Sequence, residues 1–225
     1  MLCSKPVRDP SARIQRMLLI GMFDSPFVRR VAVSLKRLGM PFEHANWSIG
    51  VDHARIRKYS PLGRVPTLVL DDGIALTDSS NILDYLDSTA GADRALVPPS
   101  GEPRRNVMHL VALAVGAAEK AREEIYERVF RPAEKRHEPY LERCRAQMHG
   151  ALGELERWRG THAGAWLAGE SLTQADITTT CCLTFLVESV GVEPDRYPQL
   201  ASLADRCEAL PEFIATRAVW HAPSA

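Results

Sequence analysis

The sequence predicts an α/β unit of about 75 residues followed by an all-α half. Three observations carry this. Apolar runs alternate with helical periodicity up to Gly91, the composition then breaks at a proline-rich stretch, and beyond it nothing reads as a strand. Met17–Met22 (MLLIGM) is a short apolar run suited to a buried strand. Ser25-Pro26 opens a helix, with a capping residue before a proline at the first helical position. Val28, Val31, Ala32, Leu35 and Leu38 give that helix one apolar face, and Gly39 stops it. Pro41–Ala45 reads as a second strand. A short irregular or helical stretch, Val51–Tyr59, leads to a third strand, Val65–Leu70, which turns at Asp72-Gly73 into Ile74–Leu76. Ile82, Leu83 and Leu86 return to helical period. Strand–helix–strand places the first two strands parallel, and the hairpin adds an antiparallel edge.

The segments read as an N-terminal extension at 1–16, an α/β domain at 17–92, a linker at 93–103 and a helical domain at 104–225. In the last, Val107, Leu110, Val111, Ala114, Val115 and Ala118 share one helical face, which Ile125 and Val129 extend. Leu141, Cys144, Met148, Leu152, Leu155 and Trp158 form a second stripe. Ser171–Ile177 spells a capping box: Thr173 caps, Asp176 three residues on returns a bond, and Leu172 and Ile177 can staple.

Composition narrows the function classes. The chain has 225 residues, with 28 Lys and Arg against 28 Asp and Glu, so no basic excess draws nucleic acid or an anionic membrane. No apolar run approaches the roughly 18 residues of a membrane span. Five cysteines without CxxC or paired metal spacing point to reduced thiols in a cytoplasm rather than a disulfide framework or a metal site. Residues 1–16 hold four Lys or Arg and two Pro without an apolar core, so they are not a secretory signal. They read as a disordered extension, or as a start codon assigned upstream of a true beginning at Met17.

Three places can carry chemistry. Ser25 sits where a strand hands over to a helix, near unsatisfied N–H groups and the positive end of the helix dipole. Such a place favours a thiolate. Ionising a thiol of pKa about 8.5 at neutral pH takes about 2.7 kcal/mol. One hydroxyl donating to a charged partner contributes about 1.5–3 kcal/mol, so Ser25 and a helix end suffice. The same residue also reads as a plain N-cap. Val65-Pro66 opens a strand with a residue that lacks an N–H; if that peptide is cis, Val65 can pair by strand addition with an extended peptide-like ligand. Thr77-Asp78-Ser79-Ser80-Asn81 starts a helix whose free N–H groups suit a carboxylate, while Asp78 suits an ammonium. Together they fit an amino-acid head group, and again plain capping is the alternative. His44 and His53 read as surface residues, and Cys181-Cys182 as core. No G-x-S-x-G elbow supports a serine hydrolase.

A Ser at the first strand–helix junction, a Val-Pro forty residues on and an acid-Ser pair twelve residues after that proline occur in one order. With the stretches SPFVRRVAVSLKRLGMPFE, YSPLGRVPTLVLDDG, LTDSSNILDYLD and GESLTQADITTTCCL, this resembles the glutathione transferase family, nearest its bacterial-type serine-containing branch. The resemblance implies a thioredoxin-like N-terminal domain and an all-α second domain, as a cytoplasmic homodimer. It also implies roles. Val65 before a cis Pro66 would pair with the cysteinyl backbone of glutathione, Asp78 and Ser79 would hold its γ-glutamyl end, and Ser25 would bond the sulfur. A cation for the glycyl carboxylate is expected, with Arg64 and His53 available. No metal is implied. The implied activity is detoxifying transfer of glutathione to a small hydrophobic electrophile held in a cleft beside the Val107–Val129 helix. The alternatives are a glutathione-dependent isomerase or dehalogenase, or a non-catalytic binding or regulatory module of the same fold. The sequence departs from the family pattern in Asp78 for the usual Glu and Ser60 for the usual Asn. The lack of a Cys beside position 25 argues against branches that form mixed disulfides. Asp24 adds a negative charge that a thiolate tolerates if the carboxylate points away or pairs with Arg29 or Arg30.

Overall fold

A computed structural model describes residues 17–222 of the chain; the expectations for residues 1–16 fall outside it. β1 (Met17–Ile20) is one of two inner strands, with Leu19 and Ile20 fully buried. It runs parallel to β2 (Phe42–Ala45), reached through α1 (Pro26–Arg37), with Met17 opposite Phe42. On its other side lies antiparallel β3 (Thr67–Val69), with Ile20 opposite Thr67, and then β4 (Ala75–Thr77), giving the order β2-β1-β3-β4. A four-residue helix, α2 (His53–Ile56), precedes β3, and α3 (Ser79–Ala90) follows β4. The predicted order of elements therefore holds. β3 is shorter than Val65–Leu70 because Pro66 has no N–H to give to the ladder.

The apolar positions read along α1 are all buried, and Gly39 follows its C-cap at φ +67°. Two charged residues are buried with them: Arg29 and Arg30 point away from the sheet, because α1 packs against both α3 and α6. Gly21, just after β1, has φ +130°, and a Cβ there would lie 2.6 Å from Val28 Cγ2 and 2.9 Å from Val65 Cβ. Only glycine lets α1 and the Val65 loop come so close to the end of the strand.

The helical half comprises α4 (Gly101–Phe130), α5 (Glu138–Thr161), α6 (Gln174–Val190), α7 (Pro198–Glu208) and the short α8 (Pro211–Ile214). α4 begins inside the proline-rich stretch: Pro103 lies in its first turn, where no intrahelical N–H bond is lost. The preceding chain is pinned, since the Asp87 carboxylate accepts the N–H groups of Leu96 and Val97 at 2.8 and 3.0 Å. α6 packs against α1, α4 and α7; the stripe read on α4 is buried between α5 and α6, and the second stripe, on α5, packs on α4 and α7. The capping box of α6 is present. Asp176, fully buried, accepts the Thr173 N–H at 2.8 Å and reaches back to the Leu167 N–H at 2.7 Å. Cys181 and Cys182 are core residues, as expected, with thiols that burial pushes up. Among the described residues, no helix is long and apolar enough to cross a membrane.

Candidate functional site

Two adjoining cavities open between the sheet domain and the helices, sharing Phe27, Arg64 and Val65 as lining. The larger, about 300 Å³, runs from Ser25 to α4 and α6. The smaller, about 100 Å³, lies over Pro66 and the start of α3. Of the site residues named from the sequence, Ser25 lines the larger, Pro66, Asp78 and Ser79 the smaller, and Val65 and Arg64 both, whereas His53 lines neither.

Ser25 occupies the N-cap position of α1 with extended backbone (φ −75°, ψ 122°), yet its side chain makes no capping bond. The hydroxyl is left beside the helix N-terminus, facing an apolar cleft. Ser25 therefore caps α1 through its carbonyl, which accepts the Arg29 N–H at 2.9 Å, and not through its side chain. The Val65-Pro66 peptide is cis. Among the described residues, neither the N–H nor the C=O of Val65 enters a backbone hydrogen bond, so both remain for a ligand strand. Arg64 is exposed at the junction of the two cavities. His53, the other cation considered, instead packs its ring on Gly63: a Cβ there would lie 2.4 Å from His53 Cε1. His44 is exposed, as expected, and stacks on Phe23 at 3.8 Å between ring centres.

Asp78 is the N-cap of α3, at φ +70° and ψ 130°. A non-glycine residue there costs about 1–3 kcal/mol, which packing and the bond from the Ser80 N–H to Asp78 Oδ1 (2.8 Å) offset. Ser79 is buried, and its hydroxyl accepts from Arg30 Nη2 at 2.7 Å. Ser80 Oγ accepts from the same nitrogen at 2.9 Å. Arg30 was not read from the sequence as part of the site. It is 1% exposed; hydroxyls rather than a carboxylate receive its Nη1 and Nη2, while its buried Nε has no partner among the described residues. Burial lowers its guanidinium below the usual value, with Cys182 and Asp78 pulling the other way. A buried arginine stays charged, so its field adds to the positive end of the α3 dipole. Its signal in the sequence was faint: Arg30 stands opposite the apolar stripe of α1, beside Val33 and Ser34 one turn on.

Asp24 pairs with neither Arg29 nor Arg30. Arg29 is held by Glu208, and Asp24 Oδ2 accepts the His221 N–H at 3.4 Å. Burial raises the Asp24 carboxyl, which the backbone bond from His221 only partly opposes. Phe27, Ile125 and Phe185 supply apolar wall to the larger cavity, and Arg122 and Tyr126 reach it from α4. Burial raises the Tyr126 hydroxyl, keeping it a neutral donor.

Residues 19–95 match the family model for the glutathione S-transferase N-terminal domain, and residues 114–211 match that for the C-terminal domain. The chain belongs to the glutathione S-transferase family. Its glutathione transferase fold joins a small mixed sheet domain to a helical one. Among curated relatives it is 30% identical to a GST-like protein of Escherichia coli, over 76% of this chain and 82% of that one. It is 29% identical to a probable maleylacetoacetate isomerase of Vibrio cholerae, over 88% and 93%. A glutathione S-transferase of Methylobacterium radiotolerans, solved with glutathione sulfonate, superposes with a TM-score of 0.83 at 28% identity, covering 93% and 96% of the two chains. One from Methylobacillus flagellatus with glutathione bound gives 0.83 at 25% identity, covering 90% and 100%.

Proposed function

We propose that the protein binds glutathione across the two cavities and transfers it to a small hydrophobic electrophile. The observation that carries this is the Ser25 hydroxyl, free of any capping bond, at the N-terminus of α1 and facing an apolar cleft. In this reading Val65 pairs with the cysteinyl backbone by strand addition. The γ-glutamyl carboxylate lies at the start of α3, over Ser79 and the charge of Arg30, and its ammonium faces Asp78. Arg64 receives the glycyl carboxylate. The thiol loses its proton to solvent, and Ser25 donates to the resulting thiolate. The sulfur lone pair then forms a carbon–sulfur bond, and the leaving group departs with its own bonding pair. A glutathione-bound relative of similar fold supports the assignment. A serine-dependent, bacterial-type, detoxifying homodimer in the cytoplasm is part of the same proposal. The described cysteines, all free and buried, accord with a reducing compartment. Light scattering tests the dimer.

A second reading follows from the Vibrio cholerae relative: isomerisation, in which glutathione adds and leaves again. Calorimetry with glutathione and product analysis with chlorodinitrobenzene and with unsaturated keto acids separate the two. Transfer predicts a thioether formed at the expense of one glutathione per turnover. Isomerisation predicts product without net consumption. No heat with glutathione would contradict both.

A further inference from the structure

Among the polar groups that line the larger cavity, Asp24, Ser48, Tyr126 and His221 included, Arg122 is the arginine that the glutathione reading leaves without use. Arg122 projects from α4 into it, one turn beyond the buried Ala118 and before Tyr126. Its side chain is 23% exposed. Among the described residues, its one ion-pair contact is with its neighbour Glu123, at 3.6 Å, and that carboxylate is itself 41% exposed. Nothing therefore draws the guanidinium firmly away from the cleft. Its Cζ lies 5.9 and 6.0 Å from the ring centres of Phe27 and Tyr126, so aromatic faces steady it, and the 3.6 Å approach to Glu123 is too long to be a hydrogen bond. Arg64 is the other arginine of this lining, and the proposed glutathione site already uses it.

The physical consequence is selective. A wholly apolar ligand filling the space between Phe27, Ile125 and Phe185 would strip water from Arg122 and give nothing back. A ligand with the same apolar body and a carboxylate would exchange that water for charge-assisted bonds, bidentate where the geometry is right. We propose that the second substrate of this transferase is an electrophile with an apolar body and a carboxylate, and that Arg122 is the specificity-determining residue that receives the carboxylate. The inference rests on the glutathione reading above. The reacting carbon lies at the Ser25 end of the cleft and the carboxylate at the α4 end.

Two stable product analogues test it in the full-length protein: S-(carboxybutyl)glutathione and its carboxamide, alike in shape and different in charge. Calorimetry on the wild type should find the carboxylate bound at least about tenfold more tightly than the amide. That preference should shrink as salt is raised. Arg122→Met should abolish the preference, and Arg122→Lys should restore part of it. Equal affinities in the wild type would overturn the proposal without any variant, as would a preference that survives Arg122→Met. Loss of affinity for both analogues by the same factor would overturn it too, leaving Arg122 as packing. Unmodified glutathione is titrated alongside. If the wild type does not bind it, the underlying assignment fails and this one with it. If glutathione binds but the acid has no advantage, only this one fails.

Discussion

Replacing Glu208 by alanine removes the acceptor that holds α1 to α7. Arg29 Nη1 and Nη2 each donate to one Glu208 oxygen at 2.6 Å, and the two side chains are only 5% and 13% exposed. Thr184 Oγ1 donates to Glu208 Oε1 at 2.9 Å. Burial is the largest influence and works against both charges, but the two-pronged bond and the neighbouring charges together outweigh it. The Glu208 carboxyl lies below its usual range and the Arg29 guanidinium above. In Glu208→Ala, Arg29 keeps one acceptor, the Phe213 carbonyl at 3.2 Å, and is otherwise a buried cation without a counter-charge. Breaking one side of such a pair costs about 3–5 kcal/mol, or roughly 6–20 °C in melting temperature for a chain of this size. Urea unfolding at neutral pH measures it. The double variant Arg29→Met/Glu208→Ala should recover most of the loss, because the uncompensated charge is gone. The pH dependence has a fixed sign. A carboxyl depressed in the folded state contributes fully above its unfolded value near 4.5, and the contribution is lost as pH falls through the folded value. The gap between wild type and Glu208→Ala should therefore close below about pH 4. A single variant within about 1 kcal/mol of wild type, or a double variant no more stable than the single, would refute the reasoning.

Arg30→Met removes the donors to Ser79 and Ser80 while keeping most of the side-chain volume. Calorimetry should show glutathione weakened about tenfold or more, with stability within about 1 kcal/mol of wild type, since a buried cation is replaced by an apolar group. Unchanged affinity would remove Arg30 from the site. Asp176→Ala leaves the Leu167 and Thr173 N–H groups without their acceptor and deletes the capping box of α6. It should cost about 2–5 kcal/mol by urea unfolding, and a loss under about 1 kcal/mol would count against that account.

The parts of the molecule legible in the sequence are those governed by local rules. Short apolar runs and a 3.6-residue period placed the strands and helices of the first half, Ser25-Pro26 and Asp72-Gly73 marked ends there, and Thr173–Asp176 marked the start of α6. Ser25, Val65, Asp78 and Ser79 line two adjoining cavities because each sits at or next to the end of an element whose order the pattern fixed. What stayed hidden was long-range charge. Arg29 and Glu208 are separated by 179 positions, and a sequence reads each as a solvated side chain. Arg30 looked like a candidate partner for Asp24, but packing of α1 between α3 and α6 turns it to Ser79. Arg122 looked like one charge among many on a long helix, and only the fold shows that its turn faces the cleft. The start of α4 at Gly101 was masked by Pro98, Pro99 and Pro103, which read together as linker although the last is compatible with a first helical turn.

The role given to the Ser25 hydroxyl has a direct spectroscopic readout. Thiolate absorbance of bound glutathione, followed against pH, should give a thiol pKa about two units below the free value in the wild type. In Ser25→Ala it should move back up by one unit or more while glutathione still binds. An identical titration in the two proteins would contradict thiolate stabilisation by Ser25, and the proposed chemistry would have to begin from another donor.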